Sequence, residues 1–135
     1  MEPVERYWKK LVQVCINRKL SMHPLGRTGK QFVWMIRNDV PGNKILITAG
    51  FHGDEVAGPL GILRFLETAD NDLLFSCGLT VIPIVNPVAF RKRHNNRTRS
   101  NCGFILGMFD KLSIEGKVLE KNMNLLRDCS RRTLN

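Results

Sequence analysis

A chain of 135 residues, 43% hydrophobic and 24% charged, has the makeup of one globular domain that buries roughly two-thirds of its unfolded surface. No apolar run approaches the ~20 residues of a membrane-spanning helix, and Met1-Glu2-Pro3-Val4-Glu5-Arg6 lacks the basic-then-apolar layout of a secretory signal. A cytoplasmic protein without a membrane partner is therefore expected, and its formal charge of +9 admits an anionic substrate or nucleic acid without naming either.

In chain order, residues 3–18 form an amphipathic helix pattern. Tyr7, Leu11, Val14 and Cys15 fall at helical spacing, with Lys9, Lys10, Arg18 and Lys19 among the polar positions. Gly26 and Gly29 frame a turn, and Gln31-Phe32-Val33-Trp34-Met35-Ile36 is a strand rich in β-formers. Asp39-Val40-Pro41-Gly42-Asn43 is a turn, since Pro41 presets its own φ and Gly42 tolerates a positive one. Lys44 to Ala49 is a continuous apolar run, as expected of a strand covered on both faces.

Beyond a loop at 50–55, Val56, Leu60, Leu63 and Glu67 recur at helical intervals, and Pro59 places the start of the regular helix close to itself. Leu79-Thr80-Val81-Ile82-Pro83-Ile84-Val85 is the next strand, with pairing interrupted at Pro83. Asn86-Pro87 makes a turn, 91–103 a polar loop, and 117–128 a helix with Val118, Leu119, Met123 and Leu126 on one face. Cys15, Cys77, Cys102 and Cys129 are too scattered for a zinc ribbon or a dense disulfide framework, and read as free thiols of a reducing compartment. Strand, helix, strand in this order indicates an α/β layered domain, whose ligands collect outside the carboxyl ends of the strands.

His52 and Glu55 leave such an end. Imidazole and carboxylate together suit Zn²⁺, and a catalytic zinc takes three protein ligands plus water. The plain structural alternative is a capping turn, with Asp54 or Glu55 complementing the dipole of the following helix.

The apolar strand, Gly50-Phe51-His52-Gly53-Asp54-Glu55, the helix, the strand ending in Asn86-Pro87 and the arginine–asparagine loop after it resemble the zinc carboxypeptidase superfamily. Within it, the likeness is to the succinylglutamate desuccinylase and aspartoacylase branch, and it covers residues 44–104. It implies a three-layer α/β/α domain with a mixed sheet, incomplete relative to the full fold and occupying residues 1–135 as a single partial domain. It also implies one zinc ion on His52 and Glu55, and Arg93 as the group that polarises the scissile carbonyl. Asn101 would hold the substrate carboxylate, with Cys102 where the family has a partnering arginine; Arg97 and Arg99 stand close enough to replace it. A second register puts Asn122-Met123-Asn124 at the asparagine position, inside a helix. No histidine follows His94 to serve as third ligand, and Glu115 and Glu120 come too early to be the general base. The chain is thus expected to be an amino-terminal fragment or degenerate member.

The implied reaction is zinc-dependent hydrolysis of an amide or peptide bond beside a free carboxylate, with this chain inactive alone. Two further readings belong to other classes: a nucleic-acid-binding module using the basic residues between 91 and 99, and a non-catalytic scaffold for a protein partner. A sheet without its later strands would expose an apolar edge, so self-association is expected.

Overall fold

The computed structural model describes residues 3–92, Lys117, Val118 and Lys121. Its elements are α1 (Pro3–Asn17), β1 (Ser21–Thr28), β2 (Gln31–Arg37), β3 (Lys44–Thr48), α2 (Ala57–Thr68), α3 (Asn71–Leu74), β4 (Gly78–Ile82) and α4 (Pro87–Lys92). The strands form a mixed sheet in the order β1-β2-β4-β3, antiparallel except for the parallel pair β3 and β4. The fold is α/β, as the strand–helix–strand pattern implied.

Helix α1 buries Val4, Tyr7, Leu11, Val14 and Cys15, the side its apolar spacing defines. They pack with Ile62, Leu63 and Leu66 of α2 against Ile36, Leu79 and Val81 on one face of the sheet. On the other face Leu25, Val33, Met35 and Ile82 pack with Val85, Phe51 and the helical Val118. The Tyr7 hydroxyl donates to the Pro59 carbonyl at 3.0 Å. At the far end the Arg18 guanidinium donates to the Glu67 carbonyl at 3.1 Å and to the Ala69 carbonyl. Helices α1 and α2 are therefore tied at both ends as well as packed.

Three expectations need correction. Gly26 does not open a turn. It lies within β1, beside a register shift between Pro24 and Gly26, where an added Cβ would stand 2.9 Å from Val118. The chain reverses instead over Gly29 and Lys30, with Gly29 at φ +60° in the first position of a two-residue hairpin turn. Strand β3 is not covered on both faces: Ile45 and Leu46 are 51% and 52% exposed. Among the described residues β3 is an edge strand, and the central place goes to β4, buried throughout. The predicted interruption at Pro83 holds, since β4 ends at Ile82. Lastly, 87–92 is helical where turn and loop were expected.

Burial pushes the Cys15 thiol from its ordinary 9.0 up to about 11, and burial with the neighbouring Cys15 raises the Tyr7 phenol as well. The unfolded chain ionises at these groups first, so between about pH 9 and 11 it binds fewer protons than the fold. Stability is fully present below that window and declines through it. The urea midpoint should fall steadily from pH 8.5 to 10.5, and Cys15→Ala should flatten part of that slope. An equal slope in both proteins would reject the assignment.

Candidate metal centre

The parallel ladder runs Lys44↔Gly78 through Thr48↔Ile82, and the two chains stay together beyond it. Ala49 N donates to Ile82 O at 3.1 Å, Val85 N to Ala49 O at 3.0 Å and Asn86 N to Gly50 O at 2.9 Å. These bonds carry the 50–55 loop and the start of α4 out on the same side of the sheet. Gly50 holds φ +66° with Ile84 Cα 2.8 Å from where its Cβ would be, a place for glycine on two counts.

His52 and Glu55 meet at this end. His52 Nδ1 stands 3.1 Å from Glu55 Oε1, and Glu55 N donates to His52 O at 3.3 Å, closing a short turn. Beside them Gly50, Phe51, Asp54 and Ala57 help line a cleft of about 550 Å³. The imidazole is 29% exposed and the carboxylate 72%, so the ring is the more buried partner and the acid the more exposed one. The capping alternative finds less support. The N-cap of α2 is Val56 with no side-chain capping hydrogen bond, and the Glu55 carboxylate is turned towards His52.

Two ligands at about 2.0–2.2 Å from one tetrahedral zinc stand roughly 3.3–3.6 Å apart. The observed 3.1 Å needs only a small spreading of the pair to match. The donor types fit zinc, but the number does not suffice for a closed site: among the described residues no group of three or more His, Cys, Asp and Glu converges. His23 is exposed on β1, away from this role. Arg93, Arg97, Arg99 and Asn101 lie outside the described residues, as do His94, Cys102, Glu115, Glu120 and the alternative asparagines Asn122 and Asn124. Helix α4 ends in the exposed basic pair Arg91 and Lys92, immediately before that segment.

Sequence reasoning missed two residues that shape the loop. Gly53 is buried so closely against α4 that a Cβ would stand 2.3 Å from the Ala89 carbonyl carbon and oxygen. Its role is close approach to the α4 backbone. Asn86 is fully buried and caps α4, with Ala89 N donating to its Oδ1 at 3.0 Å. Asparagine followed by proline is a helix-start signal, N-cap then N1, and in that form it was legible.

Residues 41–134 match the family of the succinylglutamate desuccinylase/aspartoacylase catalytic domain. The chain belongs to that family. Among solved structures, it is similar to a candidate metallopeptidase of Shewanella baltica OS155, at 31% identity and a TM-score of 0.78, over 92% of this chain and 50% of that one. A candidate metallopeptidase of Shewanella amazonensis SB2B aligns at 28% identity and a TM-score of 0.79, over 96% and 53%. A candidate carboxypeptidase of Burkholderia mallei ATCC 23344 shares the fold at 18% identity and a TM-score of 0.72, over 90% and 36%. The chain thus spans about half the length of the first two structures and less of the third. No functionally curated protein matches it. In this member of the desuccinylase/aspartoacylase family, the matched stretch contains both His52 and Glu55.

The Gly53 contact is with backbone, which cannot move aside cheaply. Gly53→Ala is expected to lower stability by about 1–3 kcal/mol, as overpacking does. Gly61→Ala, on α2 with nothing within 4 Å of the added Cβ, should raise it by about 0.5–1 kcal/mol. Urea denaturation of the two variants checks both signs.

Proposed function

We propose that the chain contributes the amino-terminal part of a zinc-dependent hydrolase that cleaves an amide or peptide bond next to a free carboxylate. The single observation that supports this most is the convergence of His52 and Glu55, 3.1 Å apart, at the carboxyl ends of a parallel strand pair in a member of this family. His52 and Glu55 are the proposed zinc ligands. When bound there, the ion supplies Lewis acidity towards a carbonyl oxygen and towards water. Arg93 is assigned to the developing oxyanion, where a fixed cation acts most strongly. Asn101, with Arg97 or Arg99, is assigned to the substrate carboxylate, which arginine grips through paired hydrogen bonds. The substrate class is a small acylated amino acid or peptide, in keeping with the basic charge of +9.

Residues 1–135 are read as a single partial domain of the zinc carboxypeptidase type. With two donors among the described residues, the chain is read as inactive alone. No helix of the described residues is long and apolar enough to cross a membrane. The buried free thiol of Cys15 suits a reducing, cytoplasmic setting. The nucleic-acid alternative retains the exposed Arg91 and Lys92 at the end of α4, but gives the His52–Glu55 pair no role.

Calorimetric titration with zinc tests the metal assignment. The wild-type chain should take up one ion and His52→Ala should bind it at least tenfold more weakly, since one of two donors is gone. Equal uptake by the two proteins would remove the site from consideration.

We read the β3 edge as the surface through which the chain associates with a second copy. Its half-exposed Ile45 and Leu46 lie on a strand that, among the described residues, pairs on one side only, an edge of the kind that recruits another strand. Sedimentation should show species larger than a monomer at micromolar concentration, reduced in Leu46→Lys. A wild-type monomer at every concentration would contradict this.

A further inference from the structure

We infer that Asn86 is the positioning residue for His52: its buried carboxamide locks the peptide that carries the imidazole and ties it to α4. The inference rests on the metal reading of His52 proposed above and deepens it.

Asn86 is fully buried where the chain leaves β4. Its backbone N–H donates to Gly50 O at 2.9 Å, and its side-chain Nδ2 donates to Phe51 O at 3.3 Å. The Phe51 carbonyl belongs to the planar peptide that ends at His52 N, so holding that oxygen orients the backbone from which the imidazole projects. On the far side of His52, Gly53 is pressed against the Ala89 backbone. The histidine is therefore braced on both sides, by one amide and by one glycine contact.

The same carboxamide faces α4. Its Oδ1 accepts from Ala89 N at 3.0 Å, and the Asn86 carbonyl accepts from Phe90 N at 3.0 Å. Donor and acceptor of one side chain thus serve two segments: the loop bearing His52 and the helix that runs on to Arg91 and Lys92. A residue needed only as a helix cap would use its oxygen; serine, threonine or aspartate would serve equally. The donor to Phe51 requires the amide. A partly buried carbonyl that loses its donor carries part of the cost of desolvation, and the loop would move to recover a partner.

Two variants of the full chain separate the functions. Asn86→Asp keeps an acceptor for α4 and removes the donor to Phe51 O; Asn86→Ala removes both. Amide hydrogen exchange on metal-free protein reads the brace directly. In Asn86→Asp, exchange at 51–55, including the Glu55 N–H bonded to His52 O, should quicken at least tenfold, with α1 and β2 unchanged. Cobalt(II) titration, followed by the visible absorption of the ion, should show at least tenfold weaker binding in Asn86→Asp than in wild type, the range expected when a supporting hydrogen bond behind a metal ligand is lost.

Unchanged loop exchange in Asn86→Asp would overturn the inference. A uniform rise across α1, β2 and the loop would also overturn it, since that is the mark of a purely structural residue. If wild type takes up no cobalt, the metal reading of His52 falls by itself, and the exchange pattern alone upholds or overturns the brace.

Discussion

The parallel pairing of β3 with β4 is the constraint on which the site depends. Two strands that point the same way must end on the same side, and the chain between them must cross over, here through α2 and α3. The backbone bonds continue past the last ladder pair to Asn86, so the two emerging loops remain in register after both strands have formally ended. Were this pair antiparallel, the loop of His52 and the start of α4 would leave opposite ends of the sheet. No choice of side chains could then tie the loop of His52 to the start of α4.

That geometry is close-packed in its backbone and open to solvent at one side chain. Gly50 and Gly53 let main chain approach main chain, at Ile84 and at Ala89, more closely than any side chain allows. Asn86 fills the remaining polar gap between the same two segments. Glu55, by contrast, is mostly exposed and held to His52 by one contact. The half-buried imidazole and the exposed carboxylate thus differ in how much of the fold surrounds them.

The match over residues 41–134 fixes the family. Matched structures are about twice as long, and the two donors found among the described residues fall short of the three that a catalytic zinc takes. Among the described residues the β3 edge leads directly into the loop that lines the candidate cleft.

Local periodicity was enough to locate α1, β2, the Asp39–Asn43 turn region, α2 and the break at Pro83, because each rests on the spacing of apolar residues or on the fixed φ of proline. The motif His52-Gly53-Asp54-Glu55 likewise singled out the two side chains that meet, and the resemblance carried by the surrounding strands named the right family. Which strand is central was beyond such reasoning: Ile45, Leu46 and Ile47 are as apolar as Val81 and Ile82, and only pairing order puts the first group at an edge. Gly26 misled, and Gly53 gave no hint of its contact, for a related reason. A glycine in a sequence signals either an unusual φ or a close neighbour, and the neighbours, Val118 and Ala89, are distant along the chain. Short-range composition thus determined the elements and the chemical groups on offer, whereas long-range pairing decided which surfaces stayed open and why one buried asparagine came to stand behind the histidine.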